Sequence, residues 1–108
     1  MFEIYKNKKS QQFHYRLKAA NGQVILQGKS YETKKESARA IESVLLNGNN
    51  ESRYEIKEAA DGQKYFILTS STGTVIGRSQ LYKSESGLKN GIMSVGNNIA
   101  NCRLKVLC

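Results

Sequence analysis

The sequence predicts an α+β domain in which two β3-α-β units join in one mainly antiparallel sheet, with two helices on one face. Three observations predict it. Landmark residues recur in one order about half a chain apart: Phe2-Glu3-Ile4 returns as Tyr54-Glu55-Ile56, Leu17 as Leu68, and Val24-Ile25 as Val75-Ile76. Gly22 likewise returns as Gly73, Tyr31 as Tyr82, and Ile41-Glu42-Ser43-Val44 as Ile92-Met93-Ser94-Val95. Within each copy the apolar period changes from two to that of a helix. Finally, 108 residues suffice for one modest core but not for two. A single domain over 1–108 is therefore expected, with 1–50 as the first repeat and 51–108 as the second. The offset is 52 before the first turn and 51 after it, so one residue was gained or lost there.

Phe2 to Tyr5 alternates apolar and polar residues, as a half-buried strand does. Lys8-Lys9-Ser10-Gln11 is a polar turn, and its counterpart Ala60-Asp61-Gly62-Gln63 holds an Asp-Gly hairpin signal. Phe13, Tyr15 and Leu17 alternate with His14, Arg16 and Lys18 in a second strand. Asn21-Gly22 turns the chain into a third strand, Val24 to Leu26. Apolar residues fall on both faces of that strand and of Val75-Ile76, so the pattern does not orient either.

Thr33 and Glu36 have capping-box spacing, followed by Ala38, Ile41 and Val44-Leu45 at helical intervals, with Asn47-Gly48 as the stop. In the second copy Ser84 is the expected N-cap, and Leu88, Ile92, Val95 and Ile99 form the stripe. Gly87 and Gly91 each cost that helix about 1 kcal/mol relative to Ala. The small residue at 91, matched by Ala40, suits close packing on the sheet. Arg103 to Leu107 alternates again as a closing strand. The expected core is Phe2, Ile4, Tyr15, Leu17, Ile41, Val44, Tyr54, Ile56, Phe66, Leu68, Ile92 and Val95.

The net charge of +8 is spread over the chain: residues 1–50 carry nine basic and four acidic residues, residues 51–108 eight and five. Such a domain favours polyanions, although solubility alone accounts for the charge equally well. There is no apolar run of membrane-spanning length and no apolar core of a secretory signal after Met1, so a cytoplasmic protein is expected. Cys102 and Cys108 sit too far apart along one strand for a disulfide unless the chain bends back.

The aromatic strand, the Leu17-Lys18-Ala19-Ala20-Asn21-Gly22-Gln23 turn, Tyr31, and the Ile41-Glu42-Ser43-Val44 helix resemble the YegP-like family over nearly the whole chain. That resemblance implies small bacterial proteins of unknown function with a duplicated β3-α-β unit, C-terminal strands exchanged between copies, and dimers among some members. It brings no catalytic residues. In the second copy Leu68-Thr69-Ser70-Ser71-Thr72-Gly73 departs from the pattern, so a ligand contact at that turn does not carry over.

Catalysis and cofactors find little support. His14, the sole histidine, lies on a strand face opposite Phe13 and Tyr15, and Asp61, the sole aspartate, is explained by its turn. No His/Cys spacing suits a metal, and Gly28-Lys29-Ser30 lacks the spacing of a phosphate-binding loop. A non-enzymatic domain without cofactor is expected. What remains is the sheet face away from the helices: Tyr5, His14, Arg16 and Lys18 from the first copy, Lys57, Tyr65, Ile67 and Arg78 from the second. Two readings stay open. One is a protein-interaction or structural module, a homodimer included, working through this face or exposed strand edges. The other is a platform for single-stranded nucleic acid, with rings for bases and cations for phosphates. Glu3 and Glu55 share the face and would repel phosphate.

Overall fold

The computed structural model describes residues 1–100 and the backbone of 104–106. The chain runs β1 (Phe2–Lys6), β2 (Phe13–Lys18), β3 (Val24–Gln27), α1 (Lys34–Asn47), a 3-10 turn (Glu51–Arg53), β4 (Tyr54–Glu58), β5 (Lys64–Thr69), β6 (Val75–Arg78), α2 (Glu85–Ala100) and β7 (Leu104–Val106). All seven strands share one sheet in the order β4-β5-β6-β3-β2-β1-β7. Pairing is antiparallel throughout except for β7, which runs parallel to β1. The expected α+β class is met, and the strand after α2 crosses to the far edge of the sheet. Cys102 and Cys108 lie outside the described residues, as do Arg103 and Leu107 at the ends of the expected closing strand.

Three hairpins use the same turn. Gly22, Gly62 and Gly73 take φ values of +83°, +87° and +85°, a left-handed conformation that glycine adopts without a Cβ penalty. Asn21 and Asp61 each accept a hydrogen bond from the backbone N–H two residues on. The first turn differs. Asn7 bonds Gln12 across it, one residue wider than the Ala59–Gln63 pair, and Gln11 rather than glycine holds positive φ. This is where the 52-residue offset becomes 51.

Bulges orient the third strands. The β2–β3 register shifts between Leu17 and Lys18, and the β5–β6 register between Leu68 and Thr69. A bulge turns two successive residues toward one side, so Ile25 and Leu26 are both buried. On β6 the residue after buried Ile76 is Gly77, where a Cβ would lie 2.8 Å from Leu26 Cγ and from the Tyr15 hydroxyl. The space a side chain would need is already filled from the other half of the sheet.

The helices begin as expected. Thr33 Oγ1 accepts from Glu36 N–H at 3.1 Å, and Ser84 Oγ from Gly87 N–H at 3.1 Å. Gly48 does end α1, but with right-handed φ (−66°); a Cβ there would lie 2.8 Å from the Val44 carbonyl oxygen, besides meeting Ile99 Cδ1 at 2.1 Å. One continuous core joins both helices to the strands. Nine expected members are buried: Phe2, Ile4, Tyr15, Leu17, Ile41, Val44, Phe66, Leu68 and Val95. Tyr54 and Ile92 are only half-buried, packing against the cluster's margin. Ile56 corrects the expectation outright: Ile4 is 1% exposed, its counterpart Ile56 50%. β7 covers the outer side of β1, whereas among the described residues no strand covers the outer side of β4.

Candidate functional site

Cross-strand register assembles the open face. Residues directly opposite in paired strands project to the same side. Glu3 is opposite Arg16, Arg16 opposite Gln27, Gln27 opposite Arg78, Arg78 opposite Ile67, and Ile67 opposite Glu55. One row therefore crosses the sheet with a cation on either side of Gln27 and a carboxylate near either end. The adjacent positions are Tyr5 opposite His14 and Lys57 opposite Tyr65.

The residues expected here gather in two clusters. In the first, the Tyr5 and His14 rings stack at 5.3 Å and the Arg16 guanidinium lies 4.6 Å from the Tyr5 centroid. Arg16 Nε donates to Glu3 Oε1 at 2.6 Å, and Lys18 Nζ is 3.3 Å from the same oxygen. The hydrogen bond from Arg16, supplemented by Lys18, holds the Glu3 carboxyl below its ordinary range despite the opposing effect of burial. Both cations of this cluster are thus engaged by one carboxylate, and one face of the Tyr5 ring by a guanidinium.

In the second cluster the Arg78 guanidinium lies 4.4 Å from the Tyr65 centroid. Lys57 Nζ stands 3.6 Å from Glu55 Oε2, toward the edge. Ile67, expected on this open face, is there but buried. Arg78 forms no ion pair among the described residues.

Sequence reasoning missed the hollow between the clusters. β3 and β6 hold a single registered pair, Gln27 with Arg78, and then diverge. The gap is a cleft of about 610 Å³ lined by Gln27, Lys29, Tyr65, Arg78, Gln80 and Leu81, among others. That volume is within the range of ligand sites. None of its lining residues is acidic. Strand periodicity contains no signal for such a cleft, because it arises where two halves of a sheet part.

Among the described residues no three His, Cys, Asp or Glu side chains cluster to hold a metal ion, and no helix is long and apolar enough to cross a membrane. The profile of the domain of unknown function DUF1508 matches the chain twice, over residues 8–55 and 59–103. UPF0339 protein YegP of Yersinia pestis is 41% identical over 97 residues, covering 90% of this chain and 86% of that protein. A UPF0339 protein of Pseudomonas aeruginosa is 40% identical over 90 residues, covering 83% and 82%. The solution NMR structure of yegP from Escherichia coli, described as a protein of unknown function, superposes with a TM-score of 0.91 at 37% identity, covering 98% of this chain and 90% of that one. A UPF0339 protein of Shewanella oneidensis gives 0.90 at 38% identity, covering 98% and 89%. With similarity of this degree along nearly all of its length, the chain belongs to the UPF0339 family of DUF1508 proteins, the family of YegP.

Proposed function

We propose that this protein is a non-catalytic, cytoplasmic binding module built from two copies of one ancestral unit, and that the centre of its open sheet face takes an acidic segment of a protein partner. The observation that carries the reading is the seam cleft, where Arg78 and Lys29 stand beside Tyr65, Gln27, Gln80 and exposed Leu81 with no acidic residue in the lining. A carboxylate entering there meets a guanidinium already held against a ring, and the flanking apolar carbons suit a neighbouring aliphatic side chain.

Single-stranded nucleic acid is the second reading, favoured by the Arg78–Tyr65 stack, which offers a phosphate contact beside an aromatic ring. The ends of the row weigh against it. A phosphate backbone crossing the sheet would approach Glu3 on one side and Glu55 on the other, and Arg16 and Lys18 are already engaged by Glu3. A compact acidic cluster at the centre avoids both carboxylates.

Anisotropy titrations with a labelled Glu/Leu peptide and with a short single-stranded DNA, each at two salt concentrations, test the choice. The peptide should bind the wild-type protein, and Arg78→Ala should weaken it about tenfold or more. Arg16→Ala should change little. DNA binding with steep salt dependence and no peptide binding would transfer the assignment to nucleic acid. Failure of both ligands at low salt would overturn the seam as a binding site for polyanions.

A further inference from the structure

We propose that β4 is a self-complementary edge through which two copies of this chain pair antiparallel across a two-fold axis at Ile56, continuing the sheet from one molecule into the next.

The backbone is poised for it. β4 ends the strand order, so its outer side is unpaired among the described residues. Phe66 directs its N–H to Ser79 Oγ and its carbonyl to Ser79 N–H, toward β6. Ile56 is opposite Phe66, so this is a pair that exchanges no ladder hydrogen bonds, and the Ile56 N–H and carbonyl face outward. By the same alternation Glu58 N–H and the Tyr54 carbonyl face outward too. In a two-fold pairing centred on Ile56, each Ile56 bonds its mate and each Glu58 N–H meets the Tyr54 carbonyl of the second copy. The donors and acceptors on this edge match themselves.

The side chains select that register. With Ile56 on the axis, Glu55 of each copy is opposite Lys57 of the other, on the open face. Opposite charges directly across a ladder stabilise it and like charges destabilise it. Sliding by one step of the hydrogen-bond repeat puts Glu55 opposite Glu55, or Lys57 opposite Lys57. Within one chain the two groups are 3.6 Å apart and about half exposed, available to a second partner. A lysine on an edge strand ordinarily discourages pairing; here the two-fold supplies its counter-charge.

The helix-side surface of the same edge is mainly apolar. Ile56 is 50% exposed and Met93 63%, and with Tyr54 and Ile92 they make the apolar part of a groove of about 320 Å³ that Glu51 and Lys89 also line. Two-fold pairing brings Ile56 against Ile56 and covers part of each groove. A contact that is the same patch on both copies is isologous and closes at two, so it makes dimers and not fibres.

The test is sedimentation velocity from micromolar to millimolar protein. The wild-type mass should rise with concentration from 12.1 kDa toward twice that value. Glu55→Lys and Lys57→Glu should each weaken the dimer about tenfold or more. Mixed together, those two variants should pair with each other, because each then offers the charges the other lacks. Circular dichroism of each variant establishes that it is folded before it is mixed. A wild type that stays monomeric at all concentrations would overturn the proposal. So would a dimer insensitive to both reversals, or two variants that do not pair when mixed.

Discussion

Glu3 illustrates how much of this surface is decided by single residues. Its side chain is 8% exposed and holds Arg16 at 2.6 Å and Lys18 at 3.3 Å. Because its carboxyl is held below the ordinary value near 4.5 by Arg16 first, the folded state binds its proton less readily than the unfolded chain. The stabilisation is therefore present above about pH 4.5 and is lost as pH falls through the lower, folded-state value. Glu3→Gln should cost about 1 kcal/mol at neutral pH by urea denaturation, and the gap to wild type should narrow on acidification. A gap that does not change with pH would mean that the ion pair contributes nothing. The alternation of β1 and β2 made Glu3, Tyr5, His14, Arg16 and Lys18 legible as one face. The ion pair was not legible, because it depends on Glu3 being directly opposite Arg16, and register is a property of two strands.

At the scale of elements, the caps, turns and helix stripes followed from local chemistry, and what failed were positions whose neighbours come from elsewhere. Ile25 and Leu26 could not be oriented because a bulge interrupts the period of two, and Ile56 was misjudged because its twin Ile4 has β7 beside it. Gly91 on α2 is a case where local and tertiary preference oppose each other. Alanine there would recover about 1 kcal/mol of helix propensity. Its Cβ, however, would lie 2.3 Å from the Tyr82 hydroxyl and 3.2 Å from Phe66 Cε2, and the two rings stack at 6.2 Å beneath the helix. Overpacking of this kind costs about 1–3 kcal/mol. Gly91→Ala should therefore lower the melting temperature, and an increase would show that Tyr82 can move aside.

For the whole molecule, the question is what joins the two halves of a sheet that share one registered strand pair. Tyr15 answers much of it. Its ring starts on β2, lies where a Cβ at Gly28 would be 2.1 Å from it, and its hydroxyl donates to the Ile76 carbonyl on β6. Burial pushes the phenol's pKa well above its ordinary value, so the group stays a neutral donor. The residue in the equivalent place, Phe66, has no hydroxyl, and the local partner is Ser79 where the first half has Gly28. Tyr15→Phe should destabilise the protein by about 1–3 kcal/mol, since it leaves a buried carbonyl without its donor. Phe66→Tyr, with Ser79 already occupying that side, should not compensate. Equilibrium denaturation of the two variants and their combination decides it.

The parallel pairing of β7 with β1 also sets a schedule for folding. Phe2 meets Leu104 and Ile4 meets Val106, partners separated by almost the entire chain. Contacts that distant form late and slow the search, because a long loop must close before they contribute. The hairpins and helices between can assemble first, and throughout that interval the outer edge of the first strand stays bare. The first strand in the order of the chain is the last to be covered, and a folding intermediate waiting for β7 would expose a second bare edge to a wrong neighbour.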